Sequence, residues 1–311
     1  MGVIELEGLR REFRRKRGVQ LAAVDGLTLS VARGEAVGLL GPNGAGKSTT
    51  IKMLTGILVP TAGRARVCGL DPVRRRRELA RRIGVVFGQR SQLWWDLPLA
   101  ESFALLRSIH RVPAADHAER LEECVELLEL APFLATPVRQ LSLGQRMRGE
   151  VTAALLHSPE LLVLDEPTVG LDLISKERLR AFLARANAVE GVTLLLTTHD
   201  LPDVERLCRR LVVIDQGRVL VDGSLESLRR RFGGARRLVV DLEEPATALD
   251  GLPGVLGVTI EADGLRQQLA FSADHTSAAE LIAAVVAHVA VRDLQVVEPS
   301  IEDVVRTLYT T

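Results

Sequence analysis

The chain has 311 residues, enough to bury a full core and, by length, to form two domains. Forty basic and forty acidic side chains cancel, so no global field draws the chain to nucleic acid or to an anionic membrane. Cys68, Cys124 and Cys208 are odd in number, far apart and without metal-ligand spacing, which points away from a disulfide framework or a zinc site and fits a reducing cytosol.

In chain order, the opening Met1-Gly-Val-Ile-Glu-Leu-Glu carries charges where a signal peptide needs an apolar core. The longest apolar run, near residues 281–291, is interrupted by His288 and too short to span a bilayer, so any membrane role is expected to come through a partner. Arg10, Arg11, Arg14, Arg15, Lys16 and Arg17 cluster around Phe13, and Arg74 to Arg77 with Arg81 and Arg82 form a second basic group on a predicted helix. Acidic neighbours in both regions make them read as solvated faces.

Residues 37–40 form an apolar run of buried-strand character and residues 48–54 have helical character. Between them lies Gly41-Pro42-Asn43-Gly44-Ala45-Gly46-Lys47-Ser48, which matches the phosphate-binding loop pattern in the strand-to-helix context that the pattern requires. Glycine lets the backbone approach an anion closely, and the following helix adds its positive end. Lys47 is expected to reach the β- and γ-phosphates of ATP or GTP, and Ser48 Oγ to be a ligand of Mg²⁺.

Farther along, Leu161-Leu-Val-Leu-Asp165-Glu166-Pro167 is a buried-strand run ending in two carboxylates. Such a pair alone could be a plain strand exit. Together with the loop at Gly41 it predicts that Asp165 holds Mg²⁺ and that Glu166 orients or deprotonates the water attacking the γ-phosphate.

Between these motifs stands Leu141-Ser-Leu-Gly-Gln-Arg-Met147. It resembles the Leu-Ser-Gly-Gly-Gln signature of ABC ATPases: Ser142, Gly144 and Gln145 match, and Leu143 replaces the first glycine. The resemblance implies an α/β P-loop NTPase core at 1–232, with antiparallel β and helical subdomains, the latter at about 90–158. It also implies that the signature opens a helix capped near Ser142, whose positive end meets ATP held by a second copy. Phe13 then stands where the family stacks an aromatic on adenine, and Thr49 follows Ser48 in the nucleotide loop. Gln89 in Val85-Val-Phe-Gly-Gln89 matches the glutamine that senses Mg²⁺ and water. Gly170-Leu-Asp172 resembles the loop passing between the two sites, and Thr197-Thr-His199-Asp200 the switch histidine.

Spacing narrows the use of this engine. About fifty residues separate Gln89 from Ser142, room for a compact helical subdomain but not for the long coiled-coil arms of chromosome-organising relatives. Each motif occurs once, whereas ribosome-acting relatives usually carry two units. The expectation is therefore an ATP-hydrolysing transporter subunit that resembles the ATPases of bacterial drug exporters. It would be cytoplasmic, held to the inner face of the membrane by a separate permease, paired with a second ATPase copy and without a nucleic-acid partner. A soluble ATPase acting on a nucleic-acid or ribosomal partner is the alternative. Trp94 and Trp95, the two tryptophans of the chain, follow Gln89 where the family receives the permease, and one ring is expected inward and one outward.

After Arg229-Arg-Arg-Phe-Gly-Gly234, which reads as a hinge, a small α+β module is expected over 233–311. Strands are predicted at 237–242, 255–261, 265–271 and 294–297, helices at 246–252 and 276–290, and a last helix at 300–309 with Ser300 and Asp303 in capping-box positions. This order resembles a ferredoxin-like βαββαβ unit. His275 and His288 read as surface and packing residues, and the module as dimer support or regulation.

Overall fold

Short apolar runs build the central sheet. Strands β3 (Ala36–Leu40), β5 (Ile83–Phe87), β6 (Leu161–Asp165), β7 (Thr193–Thr197), β8 (Arg210–Asp215) and β9 (Arg218–Ser224) pair in the order β5-β6-β7-β3-β8-β9. All but β9 run parallel, as expected of strands that are apolar on both faces. A second, antiparallel sheet is ordered β2-β1-β4 from β1 (Ile4–Arg14), β2 (Gln20–Val31) and β4 (Ala62–Val67). The computed structural model describes residues 2–14, 20–88, 91–198, 200–232, 235–272 and 275–310, the side chains of Gln20 and Thr310 apart. These fall into two units, Met1–Ser224 and Leu225–Thr311.

In the first unit, helix α1 (Lys47–Leu54) joins the two sheets: Ile51, Met53 and Leu54 are buried in one cluster with Leu6 and Leu29 of the antiparallel sheet and Leu39 and Val163 of the parallel one. Each such leucine contributes about 1.5–3 kcal/mol by leaving water. The short α2 (Arg76–Leu79) covers only part of the second arginine cluster, and Arg82 pairs with Glu160. The helical layer consists of α3 (Leu99–His110), α4 (Ala114–Leu127) and α5 (Leu143–Leu155). Helix α5 ties this layer to the sheet, because Gly149 admits the Leu99 side chain and Gly84 of β5 leaves no room for a side chain beneath the Ala154 carbonyl. Helices α6 (Leu173–Glu190) and α7 (Leu201–Leu207) flank β7 in the sequence.

The second unit carries a sheet ordered β11-β12-β10-β13, made of β10 (Arg236–Leu242), β11 (Val255–Glu261), β12 (Arg266–Phe271) and β13 (Val291–Val297), with every pair antiparallel. That is the strand order of a ferredoxin-like unit. Helix α9 (Ala278–His288) buries Leu281 and Val285 against it and opens on a capping box between Ser277 and Glu280. Helix α10 (Ile301–Thr310) starts as predicted, with Asp303 N–H donating to Ser300 Oγ at 3.1 Å and Ser300 N–H to Asp303 Oδ2 at 3.0 Å. Helix α8 (Leu225–Phe232) packs on α10 within the second unit, so Arg229 to Phe232 of the expected hinge are helical and that unit begins at Leu225, ahead of the expected boundary; Gly233 and Gly234 lie outside the described residues.

One expected element is missing. Residues 246–252 do not form a helix: the connection from β10 to β11 is irregular, although Leu249 and Leu252 still bury themselves in the core. Gln267, fully buried on β12, takes the place of helical hydrogen bonding, accepting from Leu249 N–H at 3.0 Å and donating to the carbonyls of Ala246 and Thr247 at 3.1 and 2.9 Å. Pro245, Gly251, Pro253 and Gly254 bracket the segment and disfavour a helix there.

Candidate functional site

The loop from Gly41 to Gly46 connects β3 to α1 at the carboxyl end of the parallel sheet. Its fold requires glycine at particular points. A side chain on Gly41 would strike the Ile214 carbonyl and one on Gly46 (φ 105°) the Ala23 carbonyl, while Gly44 (φ 87°) faces open space. Ala45 is buried beneath, its carbonyl taking the Gly217 N–H at 2.9 Å. No side chain caps α1, so its first amides are left for a ligand. Ser48 is exposed and Thr49 half-buried on its first turn; Pro42 and Asn43 are exposed on the loop.

Lys47 folds back over this loop, donating from Nζ to the carbonyls of Gly41 at 2.5 Å and Pro42 at 3.1 Å. Burial pulls its ammonium below the usual lysine range, and the carboxylates of Glu166 and Asp165 oppose that shift. The loop cation and the two strand-end anions, far apart in sequence, therefore share one electrostatic neighbourhood.

Asp165 ends β6, where its Oδ1 accepts the Thr197 hydroxyl of the adjoining β7 at 2.5 Å. Glu166 takes a left-handed backbone (φ 59°) and donates its N–H to Thr197 O at 2.9 Å. Gly88 closes onto this turn: its N–H donates to Asp165 O at 2.9 Å, and an added Cβ would lie 2.9 Å from that oxygen and 3.5 Å from Glu166 Cβ. Gln89 and His199 lie outside the described residues. Thr197, Gly88, Ala23 and Gly217 escaped the sequence reading. Only the Thr197-Thr198 pair ahead of His199 gave a local hint of hydroxyls at the strand end.

Ser142 caps α5 in a full capping box, with Gln145 N–H donating to Ser142 Oγ at 3.2 Å and Ser142 N–H to Gln145 Oε1 at 2.9 Å. Gly144 sits where a Cβ would be 3.0 Å from Ser175 Oγ, so α5 and α6 meet at their N-termini. Asp172 caps α6, accepting from Ser175 N–H at 2.9 Å and Ser175 Oγ at 2.8 Å; the backbone hydrogen bond holds its carboxyl below the usual range. Leu143, 38% exposed, lies over Gly170. These contacts gather the signature and the Gly170–Asp172 loop in one place.

Phe13 is 36% exposed on β1 opposite Leu21, two residues along β2 from the Ala23 carbonyl that backs Gly46, and the Arg11 guanidinium stands 4.8 Å from its ring centre. Trp94 and Trp95 are 37% and 50% exposed, so neither fills the core; Leu93 points inward instead. Trp95, Met147 and Glu150 line a cavity of about 170 Å³ with Phe87, and Arg146 stands 5.5 Å from the Trp95 ring centre. Glu150 is buried, which pushes its carboxyl up, while Ser91 Oγ and Gln92 N–H donate to it.

Comparison with known proteins agrees with this geometry. Residues 24–169 match the ABC transporter family, and residues 223–307 match the C-terminal domain of ATP-binding proteins similar to DrrA1-3. The chain is 40% identical over 230 residues to the Nod factor export ATP-binding protein I of Ralstonia nicotianae, covering 73% of this chain and 68% of that protein. It is 37% identical over 262 residues to the daunorubicin resistance ATP-binding protein DrrA3 of Streptomyces coeruleorubidus, covering 84% and 80%. Among solved structures, the ATP-binding subunit of an ABC transporter superposes with a TM-score of 0.67 at 29% identity, over 74% of this chain and 93% of that one. A dimeric ATP-binding cassette in a post-hydrolysis state with ADP and Pi superposes with a TM-score of 0.65 at 26% identity, over 71% and 98%. The chain belongs to the ABC transporter family, as an ATP-binding subunit and an ATPase.

Proposed function

We propose that this chain powers export through a separate membrane permease, working as a pair of copies that close on two ATP molecules. Export is supported by the names of its relatives, and a permease by the fact that no helix among the described residues is long and apolar enough to cross a membrane. In this reading the chain sits on the inner face of the membrane, held there by the permease. The observation that carries the site is the glycine-built loop ahead of the uncapped end of α1, with Lys47 within electrostatic reach of Asp165 and Glu166.

In this reading the amides of residues 44–49 and Lys47 bind the phosphates, with Phe13 against the adenine. Glu166 holds and deprotonates the attacking water, and His199 and Lys47 stabilise charge on the transferred phosphoryl group. Ser142, Gly144 and Gln145 of the second copy complete the site, with Asp172 ordering the loop between the two. Ser48 and Asp165 suit Mg²⁺: both offer hard oxygens, and Asp165 Oδ2 has no partner among the described residues. With Gln89 they would hold the ion, which when bound would supply charge neutralisation at the β- and γ-phosphates.

Glu166→Gln tests the assignment. ATP binding should persist while hydrolysis drops about a hundredfold, and ATP should then trap a dimer visible by light scattering. Unchanged turnover would remove Glu166 from its role.

A further inference from the structure

Asp203, in the first turn of α7, has a fully buried side chain. Its carboxylate collects donors from three directions. Oδ1 pairs with Arg180 of α6, through Nε at 2.6 Å and through Nη2. Oδ2 accepts the hydroxyls of Thr168 and, at 3.3 Å, Thr198. Thr168 and Thr198 are themselves buried, and Arg180 is nearly so. Arg180 reaches Asp200 at 3.4 Å and Glu177 at 3.0 Å, and Lys176 pairs with Asp200.

The two hydroxyls belong to the chemistry-bearing segments. Thr168 lies two residues after Glu166, and Thr198 immediately precedes His199. One carboxylate oxygen thus anchors the chain leaving β6 and the chain leaving β7. Glu166 also holds a left-handed backbone that non-glycine residues adopt only when their surroundings over-determine it. Its N–H bond to Thr197 O is one such constraint, and the Thr168–Asp203 bond is another. A buried ion pair contributes little net stability over well-packed apolar side chains, so stability alone does not account for this arrangement.

We infer that Asp203 is a positioning residue for ATP hydrolysis, holding the Glu166 turn and the His199 segment in step through Thr168 and Thr198. The inference rests on the roles proposed above for Glu166 and His199. The Gly41–Thr49 loop comes from β3 and α1, so loss of Asp203 acts on the hydrolytic step and leaves nucleotide affinity alone.

The experiment compares full-length wild type, Asp203→Asn, Glu166→Gln, and the double variant Thr168→Val with Thr198→Val, measuring steady-state ATP hydrolysis and nucleotide affinity by calorimetry. Asp203→Asn should lower kcat about tenfold or more with affinity within about twofold of wild type, and the double valine variant should reproduce that pattern. The double valine variant keeps the Arg180–Asp203 ion pair, so it remains a test if Asp203→Asn, which leaves Arg180 without that partner charge, fails to fold. A folded double valine variant with wild-type kcat would overturn the inference, as would equal losses of kcat and affinity. If Glu166→Gln itself hydrolyses at the wild-type rate, the proposed site has failed; if Glu166→Gln is inactive and Asp203→Asn is not, only the role of Asp203 has failed.

Discussion

Leu143 stands where the related signature has glycine, and its side chain has a definite seat in this structure. A Cβ on Gly170 would come within 2.5 Å of Leu143 Cδ2, and Gly170 has a φ of 72°. The bulk added at one motif is thus accommodated by the absence of a side chain at another. Gly170→Ala should lower stability by about 1–2 kcal/mol, part from the left-handed backbone and part from the collision. Combining it with Leu143→Ala should recover the steric part, and urea unfolding midpoints of the four proteins would measure the coupling. An identical cost of Gly170→Ala in both backgrounds would show that Leu143 does not require the glycine. Asp172 shows the same dependence on surroundings: sequence resemblance placed it in the loop between two nucleotides, and here its carboxylate is occupied in capping α6.

At the scale of elements, the strands and helices that periodicity predicted lie within a few residues of the observed ones, the helix at 246–252 excepted, because apolar alternation and capping residues are local signals. Predicted strands at 37–40 and 237–242 correspond to Ala36–Leu40 and Arg236–Leu242. The segment before β11 misled because Leu249 and Leu252 carry a helix-like spacing but answer to a polar side chain on another strand. Gln267→Leu should remove an acceptor from Leu249 N–H and donors from the carbonyls of Ala246 and Thr247, at a cost of about 2–3 kcal/mol. Calorimetric unfolding would register the loss, and hydrogen exchange at Leu249 should accelerate. Exchange as slow as in wild type would mean that the leucine side chains alone hold this connection. The tryptophans erred the other way: aromatic size suggested that one ring would be buried, whereas Leu93 supplies the apolar anchor and leaves both rings at the surface.

For the molecule as a whole, the proposed export needs a membrane partner, since no helix among the described residues is long and apolar enough to cross a bilayer. Affinity purification of the tagged protein from gently solubilised native membranes should therefore recover a polytopic membrane protein in equal copies. Recovery of ribosomal or nucleic-acid-binding proteins in its place would keep the ATPase and overturn export. The exposed Trp94 and Trp95, beside a cavity that holds the buried Glu150 carboxylate, form a surface with aromatic anchors of the kind enriched at protein interfaces.

The amino-acid sequence by itself determined the phosphate loop, the acidic strand end, the signature helix with its cap and the sheet strands of the second unit. Each of these is written in contiguous residues whose backbone conformation, hydrogen bonding or apolar spacing is local. Only the tertiary structure decided that Thr197 braces Asp165, that Leu143 rests on Gly170, that Gln267 replaces a helix, and that Asp203 gathers Arg180, Thr168 and Thr198. Most of these partners lie tens of residues apart. Their hydrogen bonds and close approaches exist because strand order and helix docking bring distant side chains into one dry space, and no pattern along the chain encodes that proximity.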